Sequence, residues 1–89
     1  MMRYVWDEAK RLSNLAKHGL DFRDTWRVYE VEDKMSFQSP YPDEERFVDL
    51  AEVKGMVLLF VYTIRKEQIR CISYRPANRK EREVFYAAE

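Results

Sequence analysis

The run at residues 56–63, MVLLFVYT, leaves a chain like this few ways to fold. Laid out as a strand it is apolar on both faces, which predicts a central strand covered by helices on at least one side. Lys54-Gly55 just before it is a tight-turn signal, so residues 47–53 form the preceding extended segment of a meander. Just after it, Arg65-Lys66-Glu67 turns the chain into residues 68–74, where Ile69, Cys71 and Ser73 point one way and Arg70, Ile72 and Tyr74 the other. Upstream, Met35 and Phe37 alternate with Lys34, Ser36 and Gln38, the pattern of a half-buried strand that ends at the loop Ser39-Pro40-Tyr41-Pro42-Asp43.

The flanks read as helices with one short strand. Tyr4-Val5-Trp6 is a brief apolar strand stopped by Asp7, after which Ala9, Leu12, Leu15 and Ala16 recur at helical spacing up to Gly19. Asp7 suits the N-cap and Gly19 the left-handed position past the helix end. Asp21 opens a second helix with Phe22, Thr25 or Trp26, and Tyr29 on one stripe, fading over residues 30–33. Pro76 ends the last strand and suits the first turn of a closing helix that runs to about Ala88, with Val84 and Phe85 on its apolar side. The order β-α-α-β-β-β-β-α predicts an α+β fold, an antiparallel, meander-like sheet with helices packed on it, in a single domain over residues 1–89.

An 89-residue chain has a small core, and its 15% aromatic content compensates, because each buried ring removes roughly 150–250 Å² from water. No apolar run approaches the roughly 18–20 residues needed to cross a bilayer and no signal peptide opens the chain, so a cytoplasmic protein without membrane contact is expected. Cys71, the one cysteine, reads as a small packed hydrophobe. One Cys and one His make no structural zinc set.

The net charge of zero conceals strong polarity. Residues 65–82 carry seven basic against two acidic side chains, net +5, while residues 30–52 carry eight acidic against two basic, net −6. Such asymmetry fits one face for nucleic acid and another for a basic partner, against the plainer reading of charge runs as solvated faces. With only Gly19 and Gly55, the chain has no phosphate-cradling glycine loop, so no nucleotide cofactor is expected. Asp43, Glu44 and Glu45 are adjacent in a loop and at most one or two face a common point, so no metal is expected either.

What remains is metal-free phosphodiester chemistry, in which RNA supplies its own 2′-hydroxyl nucleophile and guanidiniums stabilise the phosphorane. Arg70, Arg75 and Arg79 are plausible neighbours around one phosphate, with Arg65 holding a flanking nucleotide. His18 is either a proton mover or a cap on the carbonyls ending its helix, and Glu45 beside Arg46 is either a base or a solvated pair. Tyr62, Tyr74 and Tyr86 stack on bases or fill the core. Arg79 also stands four residues before Glu83, the spacing of a helix-stabilising pair. The rival to an enzyme is a non-catalytic module whose arginines grip nucleic acid or a protein tail.

Two segments carry a family resemblance: Trp6, Asp7, Lys10, Asn14, Lys17, His18 and Gly19 near the start, and Ile69, Arg70, Ile72, Ser73, Arg75, Ala77, Glu81 and Arg82 near the end, with Glu45-Arg46 between them. In these the chain resembles the BrnT family, ribonuclease toxins of bacterial type II toxin–antitoxin systems with a RelE-like fold. The resemblance implies an RNA endonuclease that needs no metal, is neutralised by a BrnA-type antitoxin, and meets operator DNA only through the antitoxin complex. It departs from the family at Leu50-Ala51, where a glycine is usual, and at Pro76, where many relatives have alanine. The expected catalytic set is His18, Glu45, Arg70, Arg75 and Arg79, with Lys17, Arg65, Arg82 and Tyr86 on the RNA.

Overall fold

A computed structural model describes residues 2–40 and 44–88. Along the chain run strand β1 (Arg3–Val5), helix α1 (Glu8–His18), a 3₁₀ turn (Phe22–Asp24), helix α2 (Trp26–Tyr29), strands β2 (Met35–Pro40), β3 (Glu45–Val53), β4 (Met56–Arg65) and β5 (Gln68–Pro76), and helix α3 (Arg79–Ala87). They form an α+β fold around one five-stranded sheet of order β1-β5-β4-β3-β2, with the apolar run at its centre. Lys54 (φ 52°) and Gly55 (φ 84°) make the expected tight turn, and a second such turn uses Lys66 (φ 50°) and Glu67 (φ 62°). Of the expected loop, Ser39 and Pro40 belong to β2, and Tyr41, Pro42 and Asp43 lie outside the described residues.

The sheet is mixed, which corrects the expectation of a purely antiparallel one: β1 runs parallel to β5, with Tyr4 opposite Ile69. Apolar alternation reports which face of a strand is buried but not which neighbour it takes, so an edge strand this short leaves no trace of its direction in the sequence. Beyond β1, the outer edge of β5 is satisfied by a side chain. Asn14 of α1 donates from Nδ2 to the Tyr74 carbonyl (2.7 Å) and accepts from the Tyr74 N–H at Oδ1 (3.2 Å), standing in for a missing strand.

A β-bulge provides a second correction. Val61 pairs with Ser73 but Tyr62 pairs with Cys71, so Ile72 is an extra residue on β5. The bulge brings Tyr74 onto the face of Ile69 and Cys71, where all three enter the core beneath the N-terminal helical segments with Phe22, Val28, Leu58, Phe60 and Tyr62. The opposite face carries a smaller cluster, Leu50, Val57 and Leu59 under Ala77 and Phe85 beside and within α3. Cys71 packs as expected, 2% exposed, and burial pushes its thiol up to about 11.

The helices depart from expectation in three places. In α1, Asp7 Oδ1 does accept from the Ala9 N–H (2.9 Å) and Gly19 closes the helix at φ 71°, but Leu12 is 51% exposed and Arg11 is the buried residue. Arg11 is held there by Glu8 and Asp21, a partnership that apolar counting passes over. The second helix shrinks to a 3₁₀ turn and four residues because Thr25 Oγ1 donates to the Phe22 carbonyl (2.8 Å) and packs on Cys71, pulling the chain out of regular ladder bonding. Finally, Pro76 ends β5 and Asn78 caps α3 in a capping box with Glu81, while Val84 is exposed and only Phe85 faces the core.

Asp49 pins edge strand β2 to the sheet. Fully buried, its carboxylate accepts from Lys34 (2.8 Å), Ser36 (2.6 Å) and Tyr62 (2.9 Å).

Candidate functional site

Helix α3 covers only one half of its sheet face. Residues on one strand that share a cross-strand partner's face lie together, and Arg70 stands opposite Thr63 while Arg75 stands opposite Leu59. Both arginines therefore project on the α3 side of the sheet. Their partners are four positions apart on β4, roughly 13 Å at a strand's rise. Arg75 falls under the start of α3, and Arg70 falls on the open half.

That open half is a cup of ≈ 420 Å³ between the β4–β5 turn, the start of β3 and the first turns of α1. Lys10, Arg46, Arg65, Lys66 and Arg70 line it, with Glu44 as an acid at the rim and Ile72 and Val5 as apolar floor. Lys10, Arg65, Lys66 and Arg70 make no ion pair with a carboxylate among the described residues. Five cations against one acid around a concavity sum to a positive potential that its low-dielectric walls focus into the cup. Beside Arg70 in the sheet, the Thr63 hydroxyl is buried with no hydrogen-bond partner among the described residues. A concavity lined in this way attracts anions.

The other sequence-predicted residues lie apart from this cup. Arg75 makes two 2.8 Å bonds to the Glu81 carboxylate, which that guanidinium holds below the usual carboxylate range. Arg79 is 87% exposed and reaches Glu83 at 3.3 Å. Arg82 donates to the Ala77 carbonyl (2.9 Å), and Tyr86 donates to Glu52 (2.9 Å) near the other end of the sheet. The structure thus separates Arg70 from Arg75 and Arg79 instead of gathering the three on one point.

Lys17 and His18 occupy the last turn of α1, seven and eight residues beyond Lys10, roughly 10–12 Å along the axis. Glu45 opens β3 exposed, in a shallow hollow with Phe47, Ile64 and Arg65, its side chain alternating to the face opposite Arg46. Tyr62 and Tyr74 are core residues, 3% and 1% exposed, and burial raises both phenols, that of Tyr74 to about 12. Of the expected set, Arg70 and Arg65 meet in the cup.

Sequence reasoning missed Lys10, Arg46, Lys66 and Glu44 as members of this site. Arg46 had a readable signal. The turn at Lys54-Gly55 fixes the β3–β4 register as far as Phe47 opposite Tyr62, and one more step sets Arg46 against Thr63, whose other neighbour is Arg70. A single cross-sheet row joins the two guanidiniums. Lys10 had no such signal, because its place depends on how α1 crosses the sheet.

No curated protein matches the chain. Residues 6–81 match the model of a family described as the ribonuclease toxin BrnT of type II toxin–antitoxin systems. That span includes Lys10, Glu44, Arg46, Arg65, Lys66 and Arg70, every charged residue of the cup. The chain belongs to the BrnT family of ribonuclease toxins.

Proposed function

We propose that the protein is a cytoplasmic, metal-independent RNA endonuclease of RelE-like fold, which grips the scissile phosphate in the cationic cup and is silenced by a BrnA-type antitoxin. The observation that carries this reading is Arg70: a strand guanidinium in a concave site, among four further cations and with no carboxylate partner among the described residues. In the reaction the RNA 2′-hydroxyl loses its proton and its oxygen bonds to phosphorus, while the bond from phosphorus to the 5′-oxygen breaks and that oxygen gains a proton. Negative charge grows on the phosphoryl oxygens as this happens. Fixed guanidiniums already aimed there stabilise it without reorganising.

Arg70 and Arg46 hold the phosphate, Arg65 and Lys66 steer the neighbouring nucleotide, and Glu44 at the rim takes the 2′ proton. A ring of permanent cations does the electrostatic work for which other nucleases recruit a divalent ion, and it repels such an ion. That contrast supports the metal-independent route. Arg75, Arg79 and Arg82 support the fold around α3, Lys17 and Tyr86 contact flanking RNA, and His18 stabilises the end of α1. Operator DNA is met only through the antitoxin complex.

Cleavage of a labelled transcript in EDTA, with mapped ends, tests the proposal. Wild type should leave 5′ fragments bearing a cyclic phosphate, and Arg70→Ala should lose the activity. A transcript left whole by wild type but retained with steep salt dependence would instead identify a binding module.

A further inference from the structure

We propose that the antitoxin docks as an added β-strand, rich in basic residues, along the open edge of β2, with apolar side chains seated in the groove between that edge and α3. The proposal rests on membership of a toxin–antitoxin family and is independent of how, or whether, the cup cuts RNA. Among the described residues strand β2 pairs only with β3, in a regular register of six residue pairs, so its other edge has no strand partner there. Sheet edges are normally guarded by a charge, a bulge or a covering element. From Met35 to Ser39 this edge has no charged residue and no break in register.

Beside the edge, on the α3 side of the sheet, lies a groove of ≈ 470 Å³ lined mainly by Phe37, Val48, Leu50, Leu59 and Val84. Phe37 is 44% exposed and Val84 47%, both large apolar groups left in water on facing walls. An extended segment on the β2 edge sends alternate side chains to this face, so one strand fulfils the backbone bonds and fills the groove together. A helix in the groove leaves the edge unpaired.

Charge selects the occupant. Glu30, Glu32 and Asp33 precede β2, and Glu44 and Glu45 stand at the start of its partner β3, beside the end of β2. Lys34 does not offset the first group, since it is committed to buried Asp49. Antiparallel pairing with a second copy sets the acidic approach of one β2 against the acidic exit of the other, a like-charge juxtaposition. A strand with lysines or arginines at both ends meets opposite charge instead. The antitoxin is the partner that the family supplies.

The test uses the full chain and the purified product of the reading frame adjoining its gene. Calorimetry gives the affinity for wild type, Phe37→Glu, Val84→Glu and, as a control on the far surface, Leu12→Glu. Amide hydrogen exchange of the wild-type complex reads the β2 edge directly, and circular dichroism checks each variant's fold. The expected result is a loss of at least 100-fold in affinity for Phe37→Glu and Val84→Glu, none for Leu12→Glu, and new protection within residues 35–39 on binding. Unchanged affinity in both groove variants, no added protection in β2, or no binding by the neighbouring product each overturns the proposal. A wild-type homodimer that Phe37→Glu dissociates also overturns it, assigning the edge to a second copy. Transcript cleavage by free Phe37→Glu should match wild type, so a failed ribonuclease reading appears there and not in the affinity.

Discussion

Arg70 and Arg75 are chemically alike and share one strand and one face, yet their surroundings give them different work. Arg75 is bound bidentately by Glu81, and that carboxylate also accepts from the Asn78 N–H in the α3 cap, so the pair fastens strand to helix. Arg70 has no such restraint among the described residues and faces the cup. We therefore expect Arg70→Ala to lower the rate of transcript cleavage by about 10²–10³-fold, the usual loss when one donor to developing charge is removed, with the melting temperature unchanged. Arg75→Ala should show the reverse, a lower melting temperature and a smaller change in rate. Acid titration tests the same pair. The folded protein holds Glu81 below its ordinary 4.5, so its contribution to stability is complete above that pH and is lost as pH falls from 4.5 through the lowered value. The gap in melting temperature between wild type and Glu81→Gln should accordingly narrow as the pH drops below 4.5.

Among the elements, those fixed by local rules were legible in the sequence and those fixed by neighbours were not. Strands β3, β4 and β5 follow from period-2 alternation and turn residues, and α1 follows from Asp7 and Gly19, since each signal acts within a few residues of its effect. The parallel placement of β1 is a pairing of Tyr4 with Ile69, 65 positions apart, and Asn14 of α1 reaches Tyr74 across 60. The bulge at Ile72 is equally hidden, because alternation of Ile69, Cys71 and Ser73 looks regular until the β4 partner counts one residue short. One local rule is broken outright. The β4–β5 turn sets Lys66 and Glu67 at φ 50° and 62°, where a side chain is disfavoured, yet neither residue is glycine. Lys66 lines the cup, which gives its retention a purpose. Glu67 contributes its backbone carbonyl to the Arg3 N–H, a bond that glycine keeps. Glu67→Gly should thus stabilise the protein by about 0.5–1 kcal/mol, read as a shift in the denaturation midpoint, with cleavage retained.

At the scale of the whole molecule, a neutral sum hides two fields: cations gathered where β1, β3, β4 and β5 meet, acids flanking β2. The excess in residues 65–82 was visible in the sequence and pointed to the cationic cup, but it overstated the part of the closing helix. Arg79 and Arg82 are engaged by Glu83 and the Ala77 carbonyl, and the cup draws its remaining cations from α1 and β3, which lie far away in sequence. Burial and register, not sequence proximity, decide which charges add. A consequence follows for RNA affinity. Each phosphate neutralised on a single strand releases counterions and contributes about −0.7 to the slope of log K against log salt. With four cup cations, Lys10, Arg65, Lys66 and Arg70, that have no carboxylate partner among the described residues, a slope of roughly −2.8 is expected, far steeper than a neutral protein with evenly mixed charge would give. Arg70→Ala or Arg65→Ala should each flatten it by about 0.7, whereas Arg79→Ala, exposed and paired outside the cup, should leave it where it was. Fluorescence anisotropy of a labelled, non-cleavable 2′-O-methyl strand, titrated at several salt concentrations, measures all four slopes. Equal flattening by Arg79→Ala would move the RNA path onto α3 and away from the open half of the sheet.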